Sequence, residues 1–429
     1  MRYCIKGGEI INPSGNFQGI GDLLIVDDQI AEIGKKLKAD GAEIIDAQGK
    51  IVCPGLIDMH THLREPGRED EETIASGTKA ALKGGFTAVA CMANTDPAID
   101  NATIVSFVRE QAQRNGYVKV YPIGAITKGL KGEELAEMGE MKAAGAVAFS
   151  DDGKTLMNPS VLRSALQYSK LFGVSLLLHE EDLQLAGNGV MNEGYWSTLL
   201  GLPGIPAVAE EIMIARDLLL AEETAALVHF CHVSTKGAVS LIREAKRRGV
   251  KVTAEATPHH FSLTDASLEN YAPVYRVSPP LRTETDMLAV REGLKDGTID
   301  VIATDHAPHS REEKHREFSL APTGMIGLET ALGLTWTNLV RTGYLSKIQL
   351  VEALSTKPAQ ILRQPGGVLK SGVPADVLVF DPEQAWEVTE AQLVSKSKNS
   401  PYLGQSLFGQ VESVWINGIL KYFNQSFIE

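Results

Sequence analysis

The sequence predicts an α/β chain: a (β/α)8 barrel of the TIM type, with a small β-sandwich domain built from both chain termini. Three observations carry this. From residue 54 onward one theme recurs eight times: a short apolar run, a polar cluster, then a segment with helical spacing. The two chain ends lack that theme and hold only short strands broken by Gly, Asn and Asp. All ten histidines fall between His60 and His315, with none in the first 59 or last 114 residues. A chain of 429 residues also exceeds the ~250–300 at which one core stops growing, so a large and a smaller domain are expected. The expected division is a barrel over 54–367 and a composite domain from 1–53 and 368–429.

The N-terminal runs "RYCIKGGEII", "GDLLIVDDQIAEIG" and "AEIIDAQGKIV" open the composite domain, and "ADVLVFDP" and "VESVWINGILKY" complete it. Between them come the eight barrel runs, in order "GLIDMHTH", "TAVACMANT", "VKVYPIGAIT", "AVAFSDDG", "VSLLLHEED", "ALVHFCHVS", "KVTAEATPHH" and "DVIATDHAPH". Helical spacing follows in segments such as "ETIASGTKAALKGG", "GEELAEMGEMKAAG" and "STKGAVSLIREAKRRG", each ending in Gly as helix stops often do. Alternating strands and helices imply a parallel sheet, and eight units imply closure. No GxGxxG turn follows the first strand, which argues against an open dinucleotide-binding sheet.

Composition narrows the function classes. With 44% hydrophobic and 22% charged residues the chain is an ordinary globular protein. Its net charge of −13 disfavours nucleic acid and anionic membrane as partners, since phosphate backbones need a Lys/Arg excess. No window approaches the ~18 apolar residues of a membrane span, and "MRYCIKGGEI" has no leader-like apolar core. Cys4, Cys53, Cys91 and Cys231 are scattered without CxxC spacing, as expected of buried thiols in the cytoplasm.

In a barrel of this kind the chemistry sits at the C-terminal ends of the strands, and alternate residues point inward. On that parity His60 and His62 share a face. His179 ends the fifth strand. His232 ends the sixth, sharing a face with Phe230 while His229 and Cys231 face away. Asp305 follows Val301 and Ala303 inward on the eighth. On the fourth, parity favours Asp152 over Asp151 without deciding between them. A lone strand-end histidine is ordinarily just hydrogen-bonded to a loop; six metal-capable residues on five strand ends are not so easily explained. A catalytic zinc takes about three protein ligands. Four imidazoles and two carboxylates therefore suit two metals ~3.5–4 Å apart, bridged by a carboxylate and a hydroxide. His259 and His260 are expected to hydrogen-bond behind the site, His229 and His306 to be structural, and His315 to lie on a solvated loop.

"DMHTHLREPG", "MANTDP", "FSDDG" and "ATDHAPH", in this order, resemble the class I dihydroorotases of the amidohydrolase superfamily, over essentially the whole chain. The resemblance implies two Zn2+ per subunit, one held by His60 and His62 and the other by His179 and His232. It implies Asp152 as the bridge, and Asp305 as a ligand of the first zinc and the catalytic acid/base. His62, Arg64, Asn94 and His309 would contact the substrate, with the "PTGMIG" loop at Thr323 and Gly324. Arg64 offers a planar fork suited to a carboxylate. One departure stands out: this chain reads "RVSPPLR", with Ser278 where the family usually has Asn, so that contact is shortened or passes through water.

The implied reaction is reversible cyclisation of N-carbamoyl-L-aspartate to (S)-dihydroorotate plus water in pyrimidine (UMP) biosynthesis. A homodimer is expected, and a complex with aspartate transcarbamoylase is a partner the resemblance admits. Two alternatives remain at this level. One is another cyclic amidohydrolase, a hydantoinase, dihydropyrimidinase or allantoinase. Such relatives bridge their metals with a carboxylated lysine on the fourth strand, whereas here Lys154 lies two residues beyond it. The other is a catalytically silent scaffold for aspartate transcarbamoylase, although all six ligand positions are kept.

Overall fold

A computed structural model describes residues 1–428. Nine of its eighteen strands come from the two chain ends and join one mixed sheet. They are β1 (Arg2–Asn12), β2 (Phe17–Val26), β3 (Gln29–Gly34), β4 (Glu43–Asp46), β5 (Ile51–Pro54) and, after the barrel, β15 (Val377–Glu387), β16 (Ser406–Ile416), β17 (Ile419–Phe423) and β18 (Ser426–Phe427). The two ends meet where β15 pairs antiparallel with β5, Val377 opposite Pro54 and Phe380 opposite Ile51. The long β1 splits its edge, pairing with β4 over Tyr3–Lys6 and with β5 at Glu9 and Ile10. The sheet thus turns over its own core of Ile5, Ile10, Leu23, Ile25, Val379 and Trp415. The two layers expected of a sandwich are continuous through hydrogen bonds.

One residue, Gly55, carries the chain from the sheet into the barrel; its N–H donates to Asp376 O at 3.0 Å. The barrel strands are β6 (Leu56–Thr61), β7 (Phe86–Cys91), β8 (Lys119–Pro122), β9 (Leu176–Leu178), β12 (Val228–Phe230), β13 (Val252–Ala256) and β14 (Val301–Ile302). A short parallel pair, β10 (Met191–Asn192) and β11 (Gly204–Ile205), lies in the excursion after β9. The fourth barrel position is the segment around Phe149, bridged in parallel to Gly124 on one side and to Leu176 on the other. Thr61 and His306 bridge the eighth strand back to the first, which closes the ring. Asp58 reinforces that seam, accepting from Thr304 Oγ1 (2.5 Å) and Thr304 N (3.2 Å).

The period of two is visible in the packing. Leu56, Val89, Leu176, Leu178, Val228, Phe230 and Ile302 face outward into the core shared with the helices. Met59, Ala90, Met92, Leu177, Cys231, Val301 and Ala303 fill the barrel interior. On the sixth strand this reverses the expected parity: Phe230 is outside, while His229 and Cys231 are inside. The strand is better packed with its largest apolar side chain against the helices, and His232 reaches the centre by a break in the extended backbone (φ 34°).

Two of the segments with helical spacing start at capping residues. Thr73 caps Ile74–Lys83 by accepting from Ser76 N, and Thr235 caps Lys236–Arg247 by accepting from Ala238 N. The first stops at Gly84, where a Cβ would lie 2.1 Å from Leu328 O. The segment "GEELAEMGEMKAAG" is helical only over Met138–Ala144, because Lys128 N bonds Glu134 O and Ala136 N bonds Ile126 O, which ties residues 134–136 to the preceding loop and keeps them out of the helix. No helix among the described residues is long and apolar enough to cross a membrane. Phe230 is fully buried, so Phe230→Ala is expected to cost about 3–5 kcal/mol of unfolding free energy, measured by urea titration.

Candidate metal centre and substrate pocket

Twelve residues were expected at the site, and the structure gathers all of them. Eleven line one cavity of about 660 Å3: His62, Arg64, Asn94, Asp152, His179, His232, Ser278, Asp305, His309, Thr323 and Gly324. His60 lies just beneath them, fully buried.

Asp152 is the hub. Its Oδ2 faces His60 Nε2 (3.3 Å) and His62 Nε2 (3.5 Å), and its Oδ1 faces His232 Nε2 (3.3 Å) and His179 Nδ1 (3.6 Å). Asp305 Oδ1 completes the first group, 2.9 Å from His62 Nε2 and 3.4 Å from His60 Nε2. Two sets of donor atoms, His60–His62–Asp305 and Asp152–His179–His232, are each close enough to share one ion. Asp151 turns away and accepts from Ile126 N (2.8 Å), Thr127 N (3.0 Å) and the Thr127 hydroxyl.

The hydrogen bonds behind this centre decide what it can hold. A carboxylate only accepts, so His60 Nδ1 donates to Glu255 Oε1 at 2.5 Å, and its Nε2 carries the lone pair. His62 Nδ1 likewise faces Asn94 Oδ1 at 2.8 Å. Both Nε2 lone pairs therefore point at carboxylates, and His60 Nε2 has no hydrogen-bond partner. His179 Nδ1 and His232 Nε2 face each other at 3.0 Å in the second group. Converging acceptors in a buried space repel unless a cation lies between them. Imidazole and carboxylate donors in this number suit a divalent metal of the zinc type.

Without such a cation, protons take its place. Burial works to lower the His60 pKa, but the Asp152, Glu255 and Asp305 carboxylates outweigh it and hold the value well above normal. Burial raises the carboxyl groups in turn, and the neighbouring histidines, His60 foremost, overcome it: Asp152 and Asp305 end far below the usual range and Glu255 near 2.

Several groups that hold the site were not singled out in the sequence. Glu255 accepts from His60, from His229 Nε2 (3.0 Å) and from the His232 N–H (3.3 Å), so His229 acts inside the barrel. Glu71 bonds Arg64 and His309. Asn399, far along the chain, donates to Ala307 O (3.1 Å) and Gly324 O (3.2 Å). An acid inside the apolar run "VTAEA" was a legible signal for Glu255; nothing marked Asn399. Elsewhere, His306 bonds Glu72 and Gly327 N, and His260 bonds Thr257 and Pro279 O. His259 Nε2 is buried without a partner, and desolvation takes its pKa to about 4. His315 and Lys154 are exposed.

The cavity's opposite wall is cationic. Arg64 Nε donates to Pro308 O (3.1 Å), and Arg64 Nη2 lies 3.3 Å from His309 Nε2. Gly324 passes so close that a Cβ would sit 3.0 Å from His309 Nε2 and 2.7 Å from Ala307 Cβ, at φ 136°. Ser278 lines the cavity beside Arg276, whose Nη1 binds the carbonyls of Phe318 and Ser319.

The closed barrel is shared with solved hydantoinases and dihydropyrimidinases. L-hydantoinase (dihydropyrimidinase) from Arthrobacter aurescens superposes with a TM-score of 0.89 at 26% identity, covering 100% of this chain and 97% of that one. Dihydropyrimidinase from Brevibacillus agri shares the fold with a TM-score of 0.86 at 24% identity, covering 100% and 96%. In sequence the match is more particular. Residues 49–238 match the family described as Dihydro-orotase-like. A protein named dihydroorotase from Pelotomaculum thermopropionicum is 56% identical over 409 residues, 95% of this chain and 96% of its own. Another from Acetivibrio thermocellus is 52% identical over 414 residues, 96% and 97%. The chain belongs to the dihydroorotase family.

Two outcomes follow for the centre. Glu255→Gln is expected to weaken zinc affinity roughly 10–100-fold, read by chelator competition, because the His60 tautomer is no longer enforced. Zinc binding to metal-free protein is expected to release protons at neutral pH, since the raised His60 must shed one. Affinity should therefore climb with pH, as measured by calorimetry in buffers of different ionisation enthalpy.

Proposed function

We propose that the protein is a dihydroorotase, interconverting N-carbamoyl-L-aspartate with (S)-dihydroorotate and water. The observation that carries this reading is the two-signed cavity: a centre of imidazoles and carboxylates on one side, Arg64 and His309 on the other. A neutral cyclic amide uses only the first. A ring bearing a carboxylate uses both. The 50–56% identity with proteins named dihydroorotase supports the same substrate.

The chain's own residues divide the work. Arg64 presents its Nη edge to the substrate carboxylate, since its Nε edge is already bonded. Asn94, with its oxygen on His62, turns its amide NH2 towards the cavity as a further donor. His309 and the Thr323–Gly324 loop complete the wall, and Ser278 supplies a hydroxyl nearby. His60, His62 and Asp305 would hold one zinc, and His179 and His232 the other, with Asp152 between. Two zinc ions would supply Lewis-acid polarisation of the ring carbonyl and a water acidified towards neutral pKa. Asp305 then takes the proton of the attacking water through a carboxylate oxygen and returns it to the departing amide nitrogen as the ring C–N bond breaks. Ring closure runs through the same groups in reverse. We place the protein in the cytoplasm as a homodimer within UMP biosynthesis. Light scattering reads the dimer, and co-elution with aspartate transcarbamoylase reads that complex.

The second reading is a hydantoinase or dihydropyrimidinase, favoured by the solved neighbours. Zinc-loaded protein assayed in parallel with dihydroorotate, dihydrouracil, hydantoin and allantoin separates the two: turnover confined to the carboxylated ring supports the proposal, and preference for a neutral ring overturns it. Asp305→Ala is expected to lose about 10²–10⁴-fold in kcat while elemental analysis still finds zinc. Arg64→Ala is expected to raise KM for dihydroorotate well before it lowers kcat.

A further inference from the structure

Arg64 follows β6 and His309 follows β14, so the guanidinium and the imidazole of this cavity wall belong to different loops. Something must hold them in register. Glu71 touches both. It is 1% exposed, and each of its oxygens is committed: Oε2 lies 3.1 Å from Arg64 Nε, and Oε1 lies 2.8 Å from His309 Nδ1 and 3.0 Å from Arg68 Nη2. Its backbone is tied down as well, the carbonyl accepting from Ser397 Oγ at 2.7 Å and the N–H donating to Arg68 O at 3.0 Å.

We propose that Glu71 is the positioning residue of the carboxylate clamp, spanning the first and eighth loops so that Arg64 and His309 face an acidic ring together. This rests on the reading of Arg64 and His309 as substrate contacts.

Three features point the same way. The Arg64 Nε edge is consumed by Glu71 and the Pro308 carbonyl, which fixes the guanidinium plane; Nη2 also touches His309, and Nη1 is left for the ligand. Arg64 itself sits at φ 59°, a left-handed conformation that a non-glycine residue holds only when its surroundings enforce it. The side chains of Glu71, His309 and Glu313 are also close enough to hold a cation. However, Arg64 and Arg68 already pair with the carboxylates, Arg68 Nη2 reaching Glu313 Oε1 at 3.1 Å. The cluster is therefore a charge-balanced brace.

Glu71 does not reach the reacting atoms, so its loss should act on binding. In Glu71→Gln the overall shape is kept, but an amide NH2 now faces one of the two donors. KM for dihydroorotate is expected to rise about tenfold, with kcat within about twofold and zinc content unchanged. Glu71→Asp, whose shorter carboxylate cannot span both partners, should give an intermediate KM. Arg163→Ala, at an exposed ion pair with Glu223 that takes no part in the cavity, should leave KM within about twofold.

A fall in kcat at constant KM, loss of zinc, or failure of both Glu71 variants to fold would overturn the positioning role in favour of a purely structural carboxylate. Arg64→Ala assayed alongside separates the two levels. If its KM is unchanged, the clamp itself falls. If its KM rises while Glu71→Gln behaves as wild type, only the role of Glu71 falls.

Discussion

The repulsion among buried acceptors around Asp152 is the constraint on which the rest of the structure depends. Lone pairs of His60, His62, His179 and His232 and the oxygens of Asp152 and Asp305 lie within a few ångströms of each other, shielded from water. Left alone, such a cluster would relax apart or collect protons. The barrel prevents the first, because the six residues are anchored at the ends of five strands of a closed ring. Cations or protons must supply the compensating charge, and the choice between them couples metal binding to pH.

Holding the ligands demands rigidity below them. An apolar floor of Met59, Met92, Leu177, Val301 and Ala303 fills the interior. Glu255 is a carboxylate set into that level, and it orients His60 while taking the N–H of His232. Above the floor the loops are cross-tied: Asn399 joins the loops at Ala307 and Gly324, and Ser397 fixes Glu71. The segment that begins beyond β15 therefore reaches back to the face of the barrel where the substrate would bind. On the proposed function, selectivity is set in this upper layer and the metal chemistry in the lower one.

Much of this was legible in the sequence, for a physical reason: strand-end ligands in a barrel obey chain order and a period of two, both visible in a string of letters. The eight-unit alternation, the joining of the two termini and the grouping of His60, His62, Asp152, His179, His232 and Asp305 all followed from it. Parity on the first and sixth strands did not: Met59 and His60 both lie on the inner side, across a register shift between Asp58 and Thr61. Period two leaves open which face is inner, and Phe230 took the outer one, with a left-handed His232 restoring the ligand to the centre. Residues 132–136 read as helix from their composition, but backbone bonds to Ile126 and Lys128 outweighed local preference. Glu71 and Asn399 act through contacts distant in sequence, for which no local pattern exists.

The most direct measurement is a crystallographic zinc anomalous-difference map of zinc-loaded protein. The account predicts two peaks about 3.5–4 Å apart, one beside each oxygen of Asp152, with Lys154 unmodified and outside the cluster. A single peak, or two peaks bridged by a carboxylated Lys154, would contradict it.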